Sequence, residues 1–227
     1  MRISVIIPVV NEAEVITGCL AQFRGQRNVE VIVVDGGSRD GTQDRIRAAG
    51  IARLVTSPRS FRSAQMNRGA GSASGDVLLF LHADTFLPDG AIRMIRESLE
   101  DPVVAGGSFR MGLSEDTWVF RTIAFLSTMR SRYLGVTYGD QGIYVRREVF
   151  DRVAGFPELA LFEDSEFCAA VRKLGRFVLL DGSVRTSTRR WRRWGVVPTV
   201  LWMWTLRILF LCSVSDKWLC RLYRDVR

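Results

Sequence analysis

Residues 3–12 read Ile-Ser-Val-Ile-Ile-Pro-Val-Val-Asn-Glu, and residues 29–38 read Val-Glu-Val-Ile-Val-Val-Asp-Gly-Gly-Ser. Each is an apolar, largely β-branched run that stops at polar residues. A strand buried on both faces reads this way, whereas a half-exposed strand alternates. Between the two runs, residues 12–24 carry Val15, Ile16, Leu20 and Phe23 at helical spacing. A second helix is expected over 41–49, with Asp40 placed to cap its first turn. A short strand at 52–56, a helix at 60–73, a strand at 77–81 and a helix from Pro88 to about Leu99 follow. Strand and helix alternating over short connections predict an α/β fold: a mostly parallel twisted sheet with helices on both faces. Past Leu99 the pattern changes. A strand at 106–111, an amphipathic helix at 115–131, a strand at 141–145 and a helix at 165–174 predict a mixed second half that builds the other wall of a cleft. Met111, Phe125 and Met129 are expected in its core.

The chain has 227 residues, 47% of them apolar and 25% charged, which excludes disordered and low-complexity classes. It holds one histidine and four cysteines, and Cys19, Cys168, Cys212 and Cys220 form no CxxC pair. A multi-histidine metal site, a zinc site and a disulfide framework are therefore not indicated, and free thiols in a reducing compartment are expected. The net charge of +8 is localised. Residues 185–227 carry ten Lys or Arg and two Asp, so the preceding residues are formally neutral. Basic clusters there flank the apolar, Trp-rich run 196–215. That pattern favours an anionic membrane surface over nucleic acid. The run has barely the length of a membrane span, and Arg207 near its centre would oppose insertion by about 2.5–3.5 kcal/mol. An interfacial or protein-packed helical tail over 192–227 is the expectation, and a dimer interface is equally readable. Trp202, Trp204 and Trp218 fit helix packing or the interface. The first residues do not read as a signal peptide, because their apolar stretch meets Asn11 and Glu12 at once. A cytoplasmic location, or a peripheral one on the inner membrane face, follows as the expectation.

In open α/β sheets ligands bind beyond the carboxyl ends of the strands. That rule selects Asn11-Glu12, Asp35-Gly-Gly-Ser38 and His82-Ala83-Asp84. An acid at a buried strand end is unfavourable unless something pairs with it. Helix capping explains Asp35 or Asp40, but not Asp84. Neither GxGxxG nor GxxxxGK[ST] follows the first strand, so phosphate is not held on a glycine loop. A metal on acids, or arginines, must neutralise it instead. Asp84, with His82 assisting, can hold a divalent cation. Arg59, Arg62 and Arg68 precede that strand and could face a diphosphate.

These motifs resemble those of a family 2 glycosyltransferase of the GT-A type, over most of residues 1–191. Ser4-Val-Ile-Ile-Pro-Val-Val-Asn-Glu12 is similar to the family's first strand and turn. Val33-Val-Asp-Gly-Gly-Ser-Arg-Asp-Gly-Thr42 resembles its second motif, with Asp35-Gly36 where two acids are usual. Gln65-Met-Asn-Arg-Gly69 and Ala73-Ser-Gly-Asp-Val-Leu-Leu-Phe-Leu-His-Ala-Asp84 resemble the segment leading to the metal-binding DxD. Gly155-Phe-Pro and Phe162-Glu-Asp164 resemble the acceptor block that ends in a general base, and Arg189-Arg-Trp191 resembles the end of a basic-Trp motif.

The resemblance implies a nucleotide-sugar-binding half at 1–99, an acceptor half at 100–191, and transfer of one sugar with inversion. It implies that Asp35 accepts from a base, uracil first, and that Pro8, Asn11 and Glu12 line the nucleoside pocket. Ser38, Arg62, Asn67 and Ala83 complete the implied donor set. Asp84 would bind Mg²⁺ or Mn²⁺ bridging the diphosphate, and Asp164, supported by Glu163, would deprotonate an acceptor hydroxyl. Arg190 and Trp191 fall to the acceptor side. Asp140 and Gln141 either bind acceptor hydroxyls or form a turn in which Asp140 bonds its own backbone. Trp191 and Trp194 either stack on a sugar or sit in the interface. A lipid-linked acceptor is suggested by the basic-apolar tail.

Two departures bear on this reading. His82 stands where the DxD has its first acid, and is either a ligand to metal or ribose, or a packed histidine. The Gln upstream of Arg190-Trp191 in polymer-forming members is absent, which favours transfer of a single sugar. A nucleotidyltransferase would need a glycine-rich basic loop after the first strand. A non-catalytic module is supported by His82 alone and opposed by Asp35, Asp84 and Asp164 occurring together.

Overall fold

The structure is a computed structural model that describes residues 1–59 and 61–223. The first apolar run forms β1 (Ile3–Val9), which is buried throughout. It pairs in parallel with β2 (Val29–Asp35) and with β4 (Val77–Phe80), and β3 (Arg53–Thr56) adds in parallel to β2. Side chains alternate along β1. Ile3, Val5, Ile7 and Val9 enter one core with Ile16, Cys19 and Leu20 of α1 (Ile16–Ala21), Ile46 of α2 (Thr42–Ala49) and Ile95 of α4 (Ala91–Ser98). Ile6 enters the other, with Met66 and Ala70 of α3 (Arg62–Ser72), Phe150 of α6 (Arg147–Arg152) and Phe167 of α7 (Glu163–Arg172). Helices thus cover both faces of the sheet. Gly69 lets α3 lie close against it. A Cβ there would clash with Ile6 and stand 2.9 Å from Val34 Cγ2.

The sheet has seven strands in the order β3-β2-β1-β4-β7-β6-β8, where β6 is Val104–Arg110, β7 is Ile143–Arg146 and β8 is Arg176–Ser183. β7 runs antiparallel to β4 and to β6, while β6 and β8 run parallel. This single reversal positions the site. Phe80, the last residue of β4, pairs with Ile143, the first of β7. The chain that leads into β7 therefore reaches the same sheet edge as the segment that leaves β4.

The turns after β1 and β2 are bound together at that edge. Val9 pairs with Asp35. Ser38 Oγ accepts from the Asn11 N–H (2.9 Å), Asn11 Oδ1 from the Arg39 N–H (2.8 Å), and Thr42 Oγ1 from the Glu12 N–H (2.8 Å). Asp40 accepts from the Thr42 and Ala13 N–H groups (both 3.0 Å), which satisfies the start of α2 as its position predicted. Gln65 of α3 is buried, and its Nε2 donates to the carbonyls of Val9 (2.9 Å) and Val34 (2.7 Å), where the two strands part.

α5 (Trp118–Tyr133) crosses the second half, and α8 (Arg189–Trp194), α9 (Val196–Leu211) and α10 (Asp216–Leu222) close the described chain. Among the described residues no helix is long and apolar enough to cross a membrane. Arg207 turns inward from α9. Its Nη1 donates to Ser165 Oγ (3.0 Å), and its side chain is only 16% exposed. Leu206 packs with Leu161, Phe162 and Leu219, whereas Val197, Leu201, Trp202, Trp204, Ile208 and Leu211 remain exposed.

Several expectations need correction. The first helix is shorter than 12–24, because residues 12–15 form the hydrogen-bonded turn just described. The 60–73 helix begins at Arg62, and Ser60 lies outside the described residues, as does 224–227 of the tail. Four elements were not anticipated: α6, β8, and the paired short strands β5 (Thr85–Phe86) and β9 (Arg185–Thr186). β8 is an edge strand of mixed burial and lacks a clean period. Phe125 is 60% exposed rather than core, because α5 turns that face outward.

Replacing Gln65 by Leu leaves two buried carbonyls without their donor. A loss of about 1–3 kcal/mol in unfolding free energy is expected, read as a lower urea midpoint at unchanged slope.

Candidate active site

The carboxyl ends of β1 and β4, the segment before β7, the start of α7 and α8 enclose a cleft of about 590 Å³. That volume suits a small-molecule site. Its lining includes Pro8, Glu12, Arg62, His82, Ala83 and Asp84 together with Asp140, Glu163, Asp164, Arg190 and Trp191. Of Arg59, Arg62 and Arg68, only Arg62 lines the cleft. Arg59 pairs with Glu158 at the surface, and Arg68 is exposed.

Five expected residues are not among those lining it. Asp35 is 1% exposed and accepts from the Gly37 and Ser38 N–H groups and from Gln43 Nε2 (2.7 Å), so it organises its own loop. Asn11 and Ser38 join the two turns. Asn67 clamps the backbone of Phe156, donating to its carbonyl and accepting from its N–H (both 2.9 Å). Gln141 is fully buried, where its Nε2 donates to the Phe109 carbonyl and its Oε1 meets Ser131 Oγ at 2.7 Å.

Asp164 sits in the first turn of α7. One carboxylate oxygen accepts from the Gly139 N–H (2.6 Å) and the other from the Ser165 N–H (2.7 Å). These bonds favour the charged form, but burial outweighs them. Burial, with Glu163 adding to it, pushes Asp164 up to about 7. Burial likewise raises Glu163, against the pull of Arg62. Burial pushes Asp140 up to about 6, with Arg130 opposing. Asp140 Oδ1 is buried without a partner among the described residues, so the turn reading, in which it bonds its own backbone, gains no support. Carboxylates raised by burial and gathered in one cleft make it a candidate functional site.

Gly139 is what allows this floor to close. A Cβ there would stand 2.7 Å from His82 Nε2 and 3.4 Å from Asp164 Oδ2. The imidazole thus faces the Asp164 side of the cleft.

Arg189 escaped the sequence reading as a site residue. Its Nη2 lies 3.2 Å from Glu12 Oε2 and 3.4 Å from Asp84 Oδ2, so it ties α8 to the ends of β1 and β4. Thr188 and Arg192 (2.7 Å) hold the same helix to Glu115. A run of four arginines gives no sign of which one turns inward. The outer cleft is apolar. Ile123, Leu126 and Met129 of α5 face Val200, Met203 and Trp204 of α9. Met129 therefore lines the cleft, while Met111 is buried and also reaches it.

Among the described residues no three His, Cys, Asp or Glu side chains form a metal cluster. Mg²⁺ commonly sits on one or two carboxylates and a substrate's phosphates, without an all-protein cage. Asp84, on the cleft wall beside Glu12, fits a cation held in that manner.

The family model of glycosyl transferase family 2 matches residues 4–154, and the chain belongs to that family. It is 29% identical over 158 residues to an undecaprenyl-phosphate 4-deoxy-4-formamido-L-arabinose transferase of Serratia proteamaculans, covering 64% of this chain and 48% of the relative. The chain spans between a quarter and about half of the length of several curated relatives. Its fold matches the mannosyltransferase PcManGT of Pyrobaculum calidifontis, solved with GDP-Man and Mn²⁺. The TM-score is 0.71 at 22% identity, over 91% of this chain and 64% of that one. It also matches glucosyl-3-phosphoglycerate synthase of Mycobacterium tuberculosis, solved with Mn²⁺, UDP and glucosyl-3-phosphoglycerate. Here the TM-score is 0.64 at 19% identity, over 95% and 81% of the two chains. The architecture is the GT-A fold expected from the sequence.

Gly139→Ala pushes His82 and the Asp164 anchor apart. A fall in glycosyl transfer on the order of a hundredfold is expected from misplacement of this size, with secondary structure by circular dichroism unchanged.

Proposed function

We propose that this member of glycosyl transferase family 2 is an inverting glycosyltransferase. It moves one sugar from a nucleoside diphosphate sugar, UDP-linked as the first to test, to an acceptor hydroxyl. The observation that carries the reading is Asp164. It is a half-buried carboxylate, anchored by two backbone N–H groups and raised to about 7, in a cleft also lined by Arg62, Glu12 and Asp84. A general base works best with a pKa near the operating pH.

The donor lies along the wall from Pro8 to Glu12, with its diphosphate toward Arg62, Arg189 and Asp84. Mg²⁺ or Mn²⁺ on Asp84 would supply charge stabilisation to the departing diphosphate. Arg62 and Arg189 add fixed positive charge on the same side. The acceptor hydroxyl lies against Asp164 and gives its proton to that carboxylate as its oxygen bonds the anomeric carbon. The bond from that carbon to the diphosphate oxygen breaks with the electron pair leaving on the nucleotide. One displacement inverts the anomeric centre, with no second carboxylate needed as nucleophile. Glu163, on which the Arg62 charge acts, sets the field around the base, and Asp140 offers its unpartnered oxygen to a further acceptor hydroxyl. His82 braces the floor beside Gly139, while Arg190, stacked 4.5 Å from the Tyr223 ring, and Trp191 border the acceptor.

The apolar outer walls on α5 and α9 suit an acceptor with a hydrocarbon portion, and the exposed apolar face of α9 beside the basic α8 suits an anionic membrane surface. The Serratia relative's undecaprenyl-phosphate substrate is in keeping with such an acceptor.

Asp164→Asn should lower kcat by 10²-fold or more while donor binding persists. Turnover of the native protein requires the ionised carboxylate, so kcat/KM should rise with pH up to about 7 and level off above it. Full activity in Asp164→Asn would overturn the reading. UDP with Mn²⁺ should stabilise the protein by about 2.7 kcal/mol at a hundred times Kd, and Asp84→Ala should remove the metal-dependent part of that gain.

A further inference from the structure

A second cavity lies apart from the cleft, between β6, β8, the end of α5 and α7. It holds about 270 Å³, room for several waters at about 30 Å³ each. Its lining includes Ser108, Ser131, Thr137 and two arginines, Arg132 and Arg172, and no Asp or Glu.

The polar groups here are incompletely matched. Among the described residues, Arg172 Nη1 is buried without a hydrogen-bond partner, and so is Ser108 Oγ. Ser108 and Thr137 are completely buried residues. Arg172 Nη2 donates to Thr137 Oγ1 (3.2 Å), and its guanidinium lies 4.0 Å from the Phe177 ring centroid, which fixes its plane. No described carboxylate pairs with it. Burial lowers its pKa. A half-buried guanidinium with one buried, unmatched nitrogen and no described carboxylate beside it, in a cavity lined by hydroxyls, is suited to receive an anion.

We propose that this cavity is a binding site for a tetrahedral oxyanion, phosphate or the phosphoryl group of a phosphomonoester. Arg172 and Thr137 hold it from one side and Ser108 from another. Arg132, exposed beside the cavity, gives the site a positive approach. The site is coupled to the cleft by a short path. Thr137 lies two residues before Gly139, whose N–H anchors Asp164, and Ser131 Oγ contacts Gln141 Oε1 across the same segment. An anion held between Arg172 and Thr137 braces that segment from behind.

The test is calorimetric titration of the full chain with inorganic phosphate, at constant ionic strength against chloride and with the cleft saturated by UDP and Mn²⁺. One saturable site is expected. Loss of a charge-assisted contact in Arg172→Gln should weaken it about tenfold or more. Ser108→Ala, which removes one hydroxyl and leaves the charges in place, should weaken it less and serves if Arg172→Gln fails to fold. Tighter binding of glycerol phosphate than of phosphate would identify a phosphomonoester as the occupant, and the reverse would identify the free anion. No saturable binding, or equal binding in the native protein and both variants, would overturn the proposal. The comparison of native protein with variants does not depend on the donor site, so it stands or falls separately from the glycosyltransferase reading.

Discussion

The pairing of Phe80 with Ile143 is the constraint on which the rest of the site depends. In an all-parallel sheet, every strand delivers its carboxyl end to the ligand edge and its amino end to the opposite one. Reversing β7 delivers an amino end instead. The segment from Gly135 to Gly142 therefore arrives beside His82 and Asp84, and it brings the Gly139 N–H to Asp164. Without that reversal, the 135–142 backbone would stand on the far edge of the sheet, and the start of α7 would have nothing to close against.

The chemistry of the cleft follows from how its charges are matched. Asp140, Glu163 and Asp164 are drawn out of water, and arginines surround them without saturating them. Arg130 lies near Asp140 but stacks on Tyr138 at 4.2 Å, Arg62 acts on Glu163, and Arg207 is engaged by Ser165. With compensation only partial, burial dominates and all three are raised. Full pairing would have lowered them and produced a rigid ion-pair network. Arg189 contacts Asp84 directly, from a helix that is itself held to Glu115.

The first half of the chain was legible because its signals were redundant. β1, β2 and β4 are predominantly apolar runs, broken only by Ser4 in β1 and Glu30 in β2 before their ends turn polar, and the chain between them has helical spacing. The second half was less so. β8 is a half-buried edge, and α6 is a short helix entered directly from β7. Eleven of the sixteen expected site residues line the cleft. Asn11, Asp35, Ser38, Asn67 and Gln141 instead satisfy backbone groups of neighbouring loops. A sequence motif cannot separate these roles, because a polar side chain that builds a turn and one that faces a ligand occupy the same strand end. Arg189 failed in the opposite direction: its partners lie 177 and 105 residues away in sequence, beyond any local pattern.

The order of strands also divides the chain in time. β1 to β4 pair among themselves in parallel and are complete by Phe80. β7 must close a loop of more than sixty residues to reach β4, and β6 finds β8 only after a further long excursion. Pairings so distant form slowly, and domains assemble from the amino end during synthesis. A nascent chain thus holds the strand ends that carry Glu12 and Asp84 well before Asp164 has left the ribosome. Until β7 docks, its place on β4 is an open edge in the middle of the future sheet, and that edge is where a stalled or truncated chain would pair with another copy.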